Sequence, residues 1–215
     1  THKQILTVQY RMRRNIGNLI SQVFYEGKIA TEVDDKNRMH PIKKFAGKSI
    51  IWIDTSMMDR KDESRLKGGS YCNYAENTLV KKLLEGFKNE GVLPNLDIGI
   101  ITGYRGQKDL IRKTVNNSGY DRIAKEIDIN TLDAFQGREN DIIIYSTVRT
   151  KNSIGFQKEK ERVNVAFSRA KNLLIICGDM DFFYKFDNPD NKFIEIIDYI
   201  CEHEDECLVI PGGEI

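Results

Sequence analysis

The run Ile142-Ile143-Ile144-Tyr145-Ser146-Thr147-Val148 constrains this chain more than any other stretch. It is short, uninterrupted and largely β-branched, the pattern of a strand buried on both faces of a parallel sheet. Charged and amide residues crowd both of its ends, with Gln136, Arg138, Glu139, Asn140 and Asp141 before it and Arg149 after it. They fall at the rim of the sheet, and in open α/β sheets ligands bind at that rim.

Strand and helix patterns alternate around this run. Ile5 to Val8 reads as a strand or extended lead-in, and Ile16, Leu19, Ile20, Val23 and Phe24 form one helical face that Gly27 ends. Ser49 to Asp54 is a strand; Val80, Leu83, Leu84 and Phe87 stripe a second helix that stops near Gly91 and Pro94. A strand over Leu96 to Ile101 then leads into a helix through Leu110, Ile111 and Val115. Ile127 to Ile129 and Leu173 to Cys177 are strands, Lys158 to Ala170 and Phe193 to Cys201 are helices, and Leu208 to Ile210 reads as an added edge strand. Residues 28–48 read as a connection, and 57–70, rich in charge and ending Gly68-Gly69-Ser70, as a mobile loop. This order predicts an α/β fold, a mostly parallel sheet with helices on both faces. At 215 residues the chain suits a single domain, 1–215, that closes in an acidic segment, 202–215.

Charge is unevenly spread. From Asp179 onward there are 11 acidic residues and 2 lysines, so this part carries −9 and the preceding part +10 within a net +1. A basic body with an acidic end fits a phosphate backbone meeting one face, and equally a solvated surface with an acidic tail. Cys72, Cys177, Cys201 and Cys207 show no paired spacing and read as reduced thiols of an intracellular, cytoplasmic protein. Cys201, His203 and Cys207 lack the second ligand pair of a zinc site, so no metal site is expected. No stretch is long and apolar enough to span a membrane, and no membrane partner is expected.

Several ordered blocks carry a family resemblance. Gln9-Tyr10-Arg11-Met12, Ile101-Thr102-Gly103-Tyr104-Arg105-Gly106-Gln107, Thr131-Leu132-Asp133-Ala134-Phe135-Gln136-Gly137-Arg138-Glu139 and Val163-Asn164-Val165-Ala166-Phe167-Ser168-Arg169-Ala170, with Val148-Arg149 between the last two, resemble the late motifs of superfamily 1 helicases of the up-frameshift type. The resemblance covers nearly the whole chain. It implies a RecA-like fold lacking the phosphate loop, namely the second motor domain of an ATP-dependent translocase that binds DNA or RNA. ATP with Mg²⁺ would then be held mainly by an N-terminal RecA-like partner domain of the same full-length protein.

The residues themselves agree that this chain has no phosphate cradle. Gly47-Lys48-Ser49 imitates the end of a G-x-x-x-x-G-K-[ST] loop, but position 42 is Ile and a strand follows rather than a helix. Asp179 and Asp181 read as polar caps after a strand. By resemblance Arg169 is the arginine finger and Arg11 a second guanidinium on the γ-phosphate, while Tyr10 stacks on the nucleotide. The same resemblance sets Glu139, after the turn at Gly137, on the ribose, and Gln136 between the two ligand sites. The alternative for both arginines is surface ion pairing. Thr102, Tyr104, Gln107 and Thr131 match the family's nucleic-acid positions, with Tyr104 able to stack a base. Arg149 suits a phosphate or a carboxylate of its own fold. Arg13-Arg14 and Gly103 depart from the family's usual His-Pro and proline. Two further readings are a nucleic-acid-binding or regulatory module that has lost its motor partner, and a self-contained enzyme built on Asp179 or the Cys201, His203 and Cys207 group.

Overall fold

The computed structural model describes residues 7–135 and 137–215. In chain order the strands are β1 (Val8–Gln9), β2 (Ala30–Thr31), β3 (Ile50–Asp54), β4 (Ser64–Arg65), β5 (Tyr71–Cys72), β6 (Asp97–Thr102), β7 (Glu126–Thr131), β8 (Asn140–Ser146), β9 (Ala170–Gly178) and β10 (Cys207–Pro211). The helices are α1 (Arg14–Tyr25), α2 (Tyr74–Asn89), α3 (Arg105–Ser118), α4 (Lys160–Phe167), α5 (Met180–Lys185) and α6 (Phe193–Glu202). Ile5 and Leu6 of the expected lead-in lie outside the described residues, and β1 carries its end.

Six strands pair in the order β10-β3-β9-β8-β6-β7, and every one of these pairings is parallel. Side chains on the central strands divide by parity because successive residues point to opposite faces. Ile143 and Tyr145 of β8, with Leu174 and Ile176 of β9, pack under α1, α4, α5 and α6. Ile142 and Ile144, with Leu173, Ile175 and Cys177, pack under α2 and α3. The sheet is therefore covered on both sides, which is the α/β class expected.

Local chemistry sets the helix limits. Asn73 accepts the amide of Glu76 at 3.0 Å and caps α2. Asp179 accepts the amide of Phe182 at 2.9 Å and caps α5, while its carboxylate meets Lys61 at 3.0 Å, so it is a cap as its position suggested. The start of α1 borrows Asp35, which accepts the Arg14 amide at 2.9 Å. Ala170, placed in a helix by its pattern, instead opens β9, because α4 stops at Phe167.

The segment 57–70 departs from the expected mobile loop. It contains β4, paired antiparallel to β5, and buries the carboxylate of Glu63. Glu63 meets Arg149 at 3.0 Å and accepts the amide of Lys151 at 3.2 Å, so the segment is tied down over the carboxyl end of β8. The Gly47-Lys48-Ser49 triplet also behaves as its context demands: Gly47 and Lys48 carbonyls accept from the Arg13 guanidinium at 2.8 and 3.0 Å, and the Lys48 ammonium donates to the carbonyls of Glu204 and Asp205.

Candidate functional site

The predicted site residues separate onto opposite ends of the sheet. Glu139 immediately precedes β8 and Arg169 immediately precedes β9, so both stand at the amino rim. Thr102 and Thr131 end β6 and β7, and Arg149 follows β8, so these stand at the carboxyl rim. With a rise of about 3.3 Å per residue, a strand the length of β8 sets the two rims about 20 Å apart.

At the amino rim the chain before α1 is folded into a turn by one amide side chain. Gln9 Oε1 accepts the amides of Arg11 and Met12 at 2.9 and 2.8 Å, and its Nε2 donates to Met12 O at 3.1 Å and Thr31 Oγ1 at 2.7 Å. That turn leaves Tyr10 63% exposed, its hydroxyl donating to Glu32 at 3.0 Å. Hydrogen bonding to the Glu32 carboxylate raises the Tyr10 pKa, so the ring remains a neutral phenol.

Arg11 pairs with Glu139 and donates to Ser168 O at 3.3 Å, with both side chains of the pair near 40% exposed. Arg169, beside Ser168, donates one guanidinium N–H to Arg138 O at 3.2 Å, while its buried Nε has no partner. Burial, followed by the nearby Arg11 guanidinium, lowers the Arg169 pKa, and Glu139 partly offsets them; from 12.5 the group stays charged at neutral pH. Arg169 thus lies near the Arg11–Glu139 pair without contacting its carboxylate, which leaves net positive charge and an unpaired N–H donor at one place. Gly137 makes the entry possible, since its φ of +89° suits a residue without Cβ. Gln136 lies outside the described residues. Beside Arg11, a groove of about 560 Å³ is lined by Tyr10, Met12, Ile20, Tyr25, Asn164 and Ser168. Apolar side chains such as Met12 and Ile20 share its lining with the polar groups of Tyr10, Asn164 and Ser168.

The carboxyl rim corrects several expectations. Gln107 is fully buried: its Oε1 accepts the Asn73 amide at 2.8 Å, and its Nε2 donates to Ser146 Oγ at 2.9 Å and to Asn73 O. Thr102 is also fully buried, so neither residue presents its side chain to a ligand in this arrangement. Tyr104 is 5% exposed, its ring enclosed by Tyr71 and Phe156, and cannot offer a stacking face. Arg149 takes the carboxylate of its own fold: it meets Glu63 at 3.0 Å, both side chains being less than 10% exposed, and lies 4.3 Å over the Tyr71 ring. Thr131 alone of this set is partly open to solvent. The sequence pattern located this rim but could not distinguish residues that line its groove from those that build its wall.

What the sequence reading missed lies under that wall. Glu76 is fully buried and accepts the hydroxyls of Ser146 and Thr147, at 2.5 and 3.1 Å, and the amide of Val148 at 2.9 Å. Val148 has φ of +71°, which costs a β-branched residue about 1–3 kcal/mol, and Glu76 holds it there. A lone acid on an otherwise apolar stripe of α2 was the available signal. Above it a groove of about 800 Å³ runs between Tyr71, Tyr104, Arg105, Thr131, Phe156 and Lys158. At the other end of the chain, Cys207 accepts a hydrogen bond from Asn15 at 3.3 Å and His203 Nδ1 is taken by Tyr199 O at 2.8 Å; among the described residues no His, Cys, Asp or Glu group is arranged to hold a metal.

Residues 1–181 match the family model described as AAA domain. The chain is 36% identical over 183 residues to the Regulator of nonsense transcripts 1 homolog of Neurospora crassa, covering 81% of this chain and 16% of that protein. It is 31% identical over 215 residues to the DNA polymerase alpha-associated DNA helicase A of Saccharomyces cerevisiae, covering 93% of this chain and 30% of that one, and 35% identical to Helicase SEN1 of the same yeast, of which it spans 8%. The chain therefore corresponds to well under a third of the length of most of these relatives. A solved C-terminal domain of a possible DNA helicase from Lactobacillus plantarum shares the fold, with a TM-score of 0.50 at 15% identity over 93% of this chain and 98% of that one. No helix among the described residues is long and apolar enough to cross a membrane. The chain belongs to this AAA domain family, as a RecA-like domain of the Upf1 and Sen1 type of superfamily 1 helicases.

Proposed function

We propose that this chain is the second motor domain of an ATP-dependent nucleic-acid helicase, working inside the cell and completing a nucleotide site that an N-terminal RecA-like domain of the same protein begins. The observation that carries the reading is the nearness of Arg169 to the Arg11–Glu139 pair, with the Arg169 Nε buried and unpaired. A guanidinium with an unused donor, held near a second guanidinium, is suited to an anion with several oxygens arriving from outside. The residues at this rim fit a triphosphate in that respect. The phosphates and Mg²⁺ themselves would be held mainly by the partner domain, since no phosphate loop is present in this chain.

In this reading ATP supplies the cleavable phosphoanhydride, and the chain's own residues bind and orient it. Arg169 and Arg11 donate to oxygens of the γ-phosphate, where charge grows as the terminal phosphoryl group departs. Tyr10, neutral and exposed, covers one face of the base over the adjacent groove, and Gly137 lets Glu139 exchange its Arg11 contact for the ribose hydroxyls. By resemblance Gln136 would couple the nucleotide to the nucleic-acid site. There a single strand of DNA or RNA crosses the groove at Thr131, with Tyr104, Thr102, Gln107 and Arg149 forming and stiffening its wall. Polar contacts to phosphate and sugar position such a strand without reading its sequence.

The test is ATP hydrolysis by the full-length protein with and without single-stranded DNA or RNA, beside the isolated fragment. Turnover stimulated by nucleic acid in the full chain, and none by the fragment, is the expected pair of results. Robust hydrolysis by the fragment contradicts the shared site, and a full chain that binds nucleic acid without hydrolysing ATP is the behaviour of a non-catalytic module.

A further inference from the structure

The carboxyl-rim groove ends in an array of three rings. Tyr71 and Tyr104 meet edge to face at 5.6 Å between centroids, and Tyr104 meets Phe156 at 5.2 Å with the planes 51° apart. Tyr104, the middle ring, is enclosed. Phe156, in the connection between β8 and α4, is 44% exposed at the groove. A large apolar ring left this open beside a groove is a candidate contact.

Its position is built, not accidental. Gly155 has φ of +60°, and a Cβ there would lie 1.9 Å from the Tyr104 hydroxyl, so only glycine lets this connection close onto the tyrosine. The Arg162 guanidinium lies 5.2 Å from the centre of the Phe156 ring and is itself held by Glu159 at 2.9 Å and Asp133 at 3.6 Å. One guanidinium thus offsets one of the groove's two acids. Arg105 and Lys158, also on the groove, have no ion pair among the described residues, and with Arg162 they outnumber Asp133 and Glu159 by one, so the groove's balance is positive.

We propose that Phe156 is the base-stacking platform of this rim, taking one unpaired nucleobase of a single strand whose phosphates meet Arg105 and Lys158. The inference rests on the reading of this rim as a nucleic-acid track and adds the residue that contacts the base. It moves the stacking role from Tyr104, where the motif suggests it, to the ring that Tyr104 supports. Stacking of this kind tolerates any base, because every base has a π-face.

The experiment compares the full-length protein's affinity for oligothymidylate and for an abasic strand of the same length, at one fixed salt concentration. Wild type should favour the base-bearing strand, and Phe156→Ala should narrow that preference about tenfold while leaving the abasic affinity in place. Phe156→Tyr should restore the preference, which separates loss of a ring from loss of the fold. Equal weakening on both strands by Phe156→Ala, or an undiminished preference in it, overturns the platform while the nucleic-acid track stands. Failure of the wild type to bind either strand overturns the track and the platform with it.

Discussion

Glu76 is wholly buried on α2, and burial raises its pKa from 4.5 to about 7 against the opposing hydrogen bonds from Ser146, Val148 and Thr147. The folded chain thus binds this proton more tightly than the unfolded chain. The stabilisation is complete below about pH 4.5 and is lost as pH rises through about 7. Between pH 5 and 8 this single group should lower the unfolding free energy by about 2–3 kcal/mol, read as a falling denaturation midpoint. Glu76→Gln imitates the protonated acid, so it should lie within about 1 kcal/mol of wild type at pH 5 and show a flatter profile above it. An unchanged profile in the variant would place the proton elsewhere. The same group explains why Val148 keeps a left-handed backbone.

Among the elements, α1 and β2 approach each other through Gly17. A Cβ at that position would stand 2.2 Å from Thr31 Oγ1 and 2.6 Å from Gln9 Nε2. Gln9 is the side chain that folds the Tyr10 to Met12 turn, so a clash there reaches Arg11. Gly17→Val should lower stability by about 1–3 kcal/mol and slow ATP turnover in the full-length protein, whereas an unaltered melting temperature and rate would mean the turn is held by other contacts. Elements of this sort were largely legible in the sequence, since parity along Ile142 to Tyr145 and the three-and-four spacing from Ile16 to Phe24 are local patterns. The segment 57–70 was not. Its order comes from Glu63 reaching Arg149 across the fold, and a charged, glycine-bearing stretch carries no local trace of a distant partner. Motif order likewise located Thr102, Tyr104 and Gln107 at a rim, but their burial depends on the Asn73 cap and the Phe156 connection packed over them.

Across the whole molecule, the parallel sheet gives its two ends different chemistry. The amino rim collects two guanidiniums and a carboxylate, the carboxyl rim a groove with rings and a net positive charge, with about 20 Å of apolar strand between them. The sheet between them is close-packed on both faces. That arrangement suits a domain that converts a change at a triphosphate into a displacement along a strand. In the proposed function Arg169 acts on the nucleotide bound between domains. Its most direct measurement is steady-state ATP turnover of the full-length Arg169→Ala protein with single-stranded nucleic acid present, alongside ATP binding. Turnover should fall by about 10³- to 10⁵-fold, equivalent to about 4–7 kcal/mol of barrier, with ATP still bound. Turnover within about tenfold of wild type would contradict it.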